Sequence, residues 1–184
     1  MIPSDDRRPS GHHAPSATPW PGLSAHDTLT VPVCGPDWAL PCGERIVDGL
    51  VFVPKAELHI TLAGRDAIAA IRARHGGPGA ETLLRSAFAA CDWRYRRTRR
   101  FLRLRRPQPP GPDAGSIIEL LELPGLATFY RALADTGTPR PVPPAHVTLW
   151  THARPQGIGV ADSDALAALC VREVSLDELG LTRI

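Results

Sequence analysis

Two short stretches of the chain, "LHITLA" at 58–63 and "AHVTLW" at 145–150, repeat one pattern: histidine, an aliphatic residue, threonine, leucine. Side chains on an extended strand alternate between faces. His59 and Thr61 therefore point one way while Ile60 and Leu62 point the other, and His146 and Thr148 stand in the same relation to Val147 and Leu149. Each strand would bury its aliphatic pair and present an imidazole and a hydroxyl on the opposite face. A single such motif is ordinary, a β-forming segment beside a core histidine. Two copies, at similar places in two halves of the chain, point to a joint role. If the strands lie side by side, the four polar groups converge on one cleft. Two imidazoles suit phosphodiester cleavage, because one can take a proton from the attacking water or hydroxyl and the other can protonate the leaving oxygen. Two threonine hydroxyls can hydrogen-bond the non-bridging phosphate oxygens as charge builds on them. This set of groups calls for no metal and no cofactor.

Residues near the motifs bear on the substrate. Arg65 and Arg154 follow the two strands at their ends, within reach of a second phosphate, although loop arginines are often only solvated. By even numbering Trp150 shares a face with His146 and Thr148, where an indole would stack on a base or pack at the rim. The run 94–106 holds eight arginines, namely Arg94, Arg96, Arg97, Arg99, Arg100, Arg103, Arg105 and Arg106, and the aromatics Trp93, Tyr95 and Phe101 lie beside or within it. Arginines interleaved with aromatics suit a single-stranded nucleic-acid groove, while an edge strand guarded against aggregation has the same composition.

The elements that must position these groups are legible in outline. "TLTVPVC" and "RIVDGLVFVP" predict strands, the second a hairpin turning at Asp48 and Gly49, and "ELHITLAG" predicts a third strand. "RDAIAAIRARHGG" predicts a helix stopped by Gly76 and Gly77, with a second helix from about Gly79 to Cys91. The arginine run predicts two strand pieces changing phase near 98–100. "SIIELLEL" predicts a buried strand, Pro124 opens a helix with Leu126, Phe129, Tyr130 and Leu133 inward, and a helix from Asp162 to Val171 precedes a last strand. The order is α+β in two similar halves. The first 26 residues, rich in Pro, Ser, Gly and His, predict a flexible tail. His12, His13 and His26 are then surface histidines rather than metal ligands.

Composition excludes several classes. The chain has 184 residues, 43% of them hydrophobic, enough for one compact domain over 27–184 and too few for a large second one. Lys55 is the only lysine, so the cationic side is nearly all arginine. Cys34, Cys42, Cys91 and Cys170 form no CxxC pair, which predicts reduced and mostly buried thiols. No apolar run is long enough to span a membrane, and the N-terminal stretch lacks the apolar core of a signal peptide. A cytoplasmic protein without a membrane partner is the expectation.

At "HITL" and "HVTL" the chain resembles the two-histidine (2H) phosphoesterase superfamily, whose signature is a pair of His-x-Thr or His-x-Ser motifs on strands, and its branch of RNA 2′,3′-cyclic phosphodiesterases and 2′-5′ RNA ligase-like proteins. The layout is similar from about residue 45 to the C-terminus, but only the two tetrapeptides are specific. The resemblance implies a two-lobed α+β fold, with antiparallel sheets forming a central cleft and helices outside. One lobe would span about 45–91 and the other about 114–184, the chain crossing between them. It also implies a metal-independent phosphodiesterase acting on a nucleotide or RNA, often on a 2′,3′-cyclic phosphate. His59, Thr61, His146 and Thr148 would be the catalytic set, with acid and base unassigned between the histidines. Hydrolysis of 3′,5′-linked cyclic oligonucleotide signals, as by some phage-encoded relatives, is an alternative. So is a non-catalytic single-stranded nucleic-acid-binding protein that uses the arginine run.

Overall fold

A computed structural model describes residues 18–33, 38 and 41–181. Within them the fold is α+β, with three helices and an eight-stranded antiparallel sheet. The strands are β1 (Leu29–Pro32), β2 (Arg45–Val47), β3 (Leu50–Pro54), β4 (His59–Ala63), β5 (Arg96–Arg106), β6 (Ala114–Glu122), β7 (His146–His152) and β8 (Cys170–Val174). The helices are α1 (Arg65–Ala89), α2 (Pro124–Asp135) and α3 (Ser163–Leu169). Along the sheet the order is β1-β4-β7-β6-β5-β8, so the two His-x-Thr strands are neighbours at its centre. The β2–β3 hairpin joins the same edge of β7 beyond β4, pairing Val53 with Thr151 and Pro54 with Trp150. All eight strands belong to one continuous hydrogen-bonded sheet. The two motif strands meet where Ile60 is paired with Val147.

Local chemistry accounts for most of these elements. Asp48 and Gly49 both have positive φ, 53° and 74°, the conformation of the two-residue turn that matches strand twist in a hairpin. Asp48 also receives Arg103 from β5 at 2.7 Å and Arg172 from β8 at 2.8 Å, which ties the hairpin to the far strands. Inside α1, Gly76 has φ 70° and ψ 168°, so the helix breaks there and restarts with Pro78 in its new first turn. These are the two helices expected from the sequence, joined at a kink. The phase change in the arginine run is real: Arg99 has φ 57°, and the register of β5 against β6 shifts between Arg97 and Phe101. Helix α3 ends at Leu169, two residues short of the expected Val171, because Cys170 already pairs with Leu104 as the start of β8.

The core has two parts. On one face of the sheet the inward residues of α1 (Ile68, Ile71, Leu84, Phe88) and α2 (Leu126, Phe129, Leu133) pack with Ile60, Leu62, Val147 and Leu149. On the other, Leu102, Leu104 and Ile118 pack with Ile158, Val160 and the apolar side of α3. The tail expected to run to residue 26 is partly folded. Trp20 meets Phe88 edge-on at 5.3 Å, and Leu23 bridges to Leu29. The cysteines are less buried than expected, Cys42 being exposed and Cys91 and Cys170 half-buried, while Cys34 lies outside the described residues. No helix among the described residues is long and apolar enough to cross a membrane.

Candidate active site

The pairing of β4 with β7 creates the site. Ile60 stands directly opposite Val147 in an antiparallel pair, and both point into the core at 1% and 0% exposure. One step to either side on antiparallel strands, opposition is crosswise, so His59 faces Thr148 and Thr61 faces His146 on the other side of the sheet. A local twofold axis runs through the Ile60–Val147 pair and gives each imidazole the other motif's hydroxyl as its neighbour. The aliphatic positions supply the packing that holds this register, since a slip by one residue would turn both polar pairs into the core.

The two imidazoles differ in surroundings. His146 is buried, and its Nδ1 lies 2.8 Å from the Pro144 carbonyl oxygen. A carbonyl only accepts, so Nδ1–H donates, and in the neutral ring Nε2 is left as the proton acceptor. Burial holds His146 below the ordinary histidine range, the Pro144 hydrogen bond opposes this, and the nearby His59 pushes it down further. His59 is half-buried. Burial is the main cause that lowers it too, followed by the Lys55 ammonium, with Glu57 acting the other way. Both rings are therefore biased toward the neutral form before an anion arrives.

The surroundings break the twofold symmetry. A cavity of about 500 Å³ opens beside Thr61 and His146, walled by the first turn of α1, by Tyr130 of α2, by the loop carrying Arg140 and by the segment 159–162. His59 and Thr148 do not line it. Thr148 lies under Gly157, where an added Cβ would be 2.7 Å from the threonine Oγ1, so only glycine lets that loop pass so close. The Tyr130 hydroxyl donates to the Leu62 carbonyl at 3.1 Å and anchors α2 to the strand that carries His59 and Thr61. Burial pushes its pKa up to about 12, partly offset by Arg140, so it is a neutral hydrogen-bonding group at neutral pH.

The structure brings together His59, Thr61, His146 and Thr148, and Arg65 lines the cavity beside them. Other expected contacts are elsewhere. Trp150 does not share the face of His146 and Thr148. The register of β7 against β6 shifts between Ile117, opposite Trp150, and Ile118, opposite Thr148, leaving Leu149 as the extra residue of a bulge. That bulge turns Trp150 into the core at 1% exposure, where its Nε1–H donates to the Gly43 carbonyl at 3.2 Å. Trp93 is also core, stacked on Phe88 at 4.9 Å and donating to the Phe88 carbonyl, and Tyr95 packs edge-on against Trp38 at 6.2 Å. Trp93 is therefore buried away from any base, while Tyr95 is half-buried. Arg154 lines a separate shallow depression with Val53, Lys55 and Thr151.

The arginine run is not a strip of free cations. Arg94 pairs with Asp92, Arg96 with Glu122, Arg97 with Glu119, Arg100 with Glu173, Arg103 with Asp48 and Arg105 with Asp113. Most of these carboxylates come from β6, β8 and the hairpin turn, which sequence distance hides. Glu119 is fully buried, with Arg97 across it and the Arg99 amide donating to it at 3.2 Å, so this pair ties the bulge of β5 to the sheet centre. Sequence reasoning missed Arg140, in a proline-rich segment that reads only as a connector, and the separate position of Arg106 at the end of the run. It placed Tyr130 on the inner stripe of its helix but gave it no part in the site.

Among the described residues no group of three or more His, Cys, Asp or Glu side chains is arranged to hold a metal ion. His26 lies in a surface turn, and His12 and His13 fall outside the described residues. Compared with family models, with curated proteins and with solved structures, the chain gives no significant match to any of them.

Proposed function

We propose that the protein is a phosphodiesterase acting on a nucleotide or RNA, with a 2′,3′-cyclic phosphate as its substrate class, and that it uses His59 and His146 as the acid and base pair. Thr61 and Thr148 hold the non-bridging oxygens. The observation that carries this reading is the register that sets Ile60 opposite Val147, since it supports a crosswise His-Thr, Thr-His constellation on one face. An anion seated among these groups would favour imidazolium at one ring, and the Nδ1–H donation of His146 to Pro144 leaves its Nε2 suited to accept a proton. In that assignment His146 is the base and His59 the acid. The two-lobed 2H arrangement fits the two halves of the sheet, each of which contributes one motif strand. The pairing of most arginines in the run 94–106 disfavours the alternative of a nucleic-acid-binding protein without catalysis.

The test is a screen of the purified chain, in chelator, against 2′,3′-cyclic mononucleotides, cyclic-phosphate-ended RNA and 3′,5′-linked cyclic di- and trinucleotides. Hydrolysis of the 2′,3′-cyclic compounds is expected. Cleavage of the 3′,5′-linked rings alone would move the substrate class, and inertness toward all of them would end the proposal.

The pH dependence has a defined sign. Both histidines lie below their ordinary value of 6.5 in the free protein. One must be neutral and one protonated, so kcat/KM should trace a bell whose optimum lies on the acid side of 6.5. In kcat the alkaline limb should move to higher pH, because bound phosphate stabilises the imidazolium. A single-limbed kcat/KM profile would contradict an acid and base pair.

A further inference from the structure

We propose that the cavity beside Thr61 and His146 is a second anion site, and that the substrate is a nucleotide carrying a phosphate in addition to the one that is cleaved. The substrate half of this inference rests on the phosphodiesterase reading above. The anion site itself rests on the cavity.

Three guanidinium groups line the same 500 Å³ space: Arg65 at the start of α1, Arg106 at the end of β5, and Arg140 in the loop before β7. They come from distant parts of the chain, and none has a carboxylate partner among the described residues. That sets them apart from the paired arginines of the run 94–106. Arg106 is steadied by donating to the Gly159 carbonyl at 2.7 Å, which occupies only part of its five-donor fork. Arg65 makes one long contact, 3.4 Å, to the His26 carbonyl. Arg140 has no hydrogen-bond partner among the described residues and is close enough for its charge to act on the Tyr130 hydroxyl.

Two acids also line the cavity, Asp66 and Asp162. Asp162 is already engaged, its Oδ1 accepting from the Ala165 amide as the N-cap of α3. That hydrogen bond leaves its charge in place, so three guanidiniums against two carboxylates give the lining a net charge of +1, which favours an anion. A planar fork is also the group best matched to phosphate oxygens. The volume lies within the range of nucleotide-sized ligand sites, larger than one phosphate needs. Because the cavity touches Thr61 and His146 but not His59 and Thr148, the added phosphate lies on one side of the scissile one only.

Adenosine 3′-monophosphate and adenosine 3′,5′-bisphosphate test this, since neither carries a cyclic phosphodiester. Calorimetric titration of the full chain at low salt should show the bisphosphate binding about tenfold tighter or better. Arg140→Gln, in an exposed loop, should remove most of that advantage, as should Arg106→Gln, while Arg154→Gln should keep it. Equal affinity for the two compounds, no measurable binding of either, or an advantage undiminished in both cavity variants would overturn the site. The readout is binding, so the two proposals separate. Hydrolysis without a bisphosphate preference removes the anion site alone, and a bisphosphate preference in a chain that hydrolyses nothing removes the catalytic reading alone.

Discussion

His59→Ala and His146→Ala should each lower hydrolysis of a 2′,3′-cyclic nucleotide by about 100- to 10,000-fold, the usual size of one proton-transfer role. The double variant should be little worse than either single one, because two groups that act in one transition state do not contribute additively. The loss should fall mainly on kcat, since the threonines and the cavity wall remain to bind the substrate. His146 is buried and donates to Pro144, so its truncation also leaves a small void and an unpaired carbonyl. His146→Asn, which keeps a short donor, should recover stability without recovering activity, and thermal melts of both variants separate the two effects. His59 is only half-buried and is the cleaner probe. Either variant keeping more than about a tenth of wild-type turnover would rule out the acid and base assignment.

Trp150→Ala should destabilise the fold by about 3 to 5 kcal/mol, the cost of emptying a large buried aromatic site. The indole is among the largest fully buried side chains, lies under the β2–β3 hairpin, has the Arg45 guanidinium over its ring at 5.6 Å and donates to Gly43. Its removal opens a void exactly where the hairpin joins β7, two residues beyond Thr148, so activity should fall as the register loosens. Trp150→Phe keeps most of the apolar volume and loses the Gly43 bond, a change of about 1 kcal/mol. Chemical denaturation of the two variants gives the comparison. If Trp150→Ala melted like wild type and lost substrate affinity instead, the indole would be a substrate contact and the bulge assignment would be wrong.

The fate of Trp150 shows where sequence periodicity stops being informative. Alternation along "HVTLW" holds through Thr148 and fails at Leu149, because one added residue in a strand reverses every later face and leaves no mark in residue type. The bulge at Arg99 was legible because the arginine and apolar alternation itself changed phase there. The hairpin at Asp48 and Gly49 and the break at Gly76 were legible for a related reason. Both depend on glycine's access to positive φ, which is written in the chain. The pairing of the arginine run was illegible on a different ground: Glu119, Glu122, Glu173 and Asp48 come from other strands and the hairpin turn, and ion pairing across a sheet has no signature in local sequence.

By itself, the sequence determined which groups carry the candidate chemistry. The types His, Thr, His, Thr and their period of two fix a shared face on each strand wherever the strands go, because alternation is a property of extended backbone. Only the tertiary structure decided that β4 and β7 are neighbours in a crosswise register, that the cavity opens on the Thr61 and His146 side alone, and that Arg65, Arg106 and Arg140 meet there. Those facts depend on strand order and loop closure across the whole chain, where contacts between distant residues are set by how the two cores pack against the sheet.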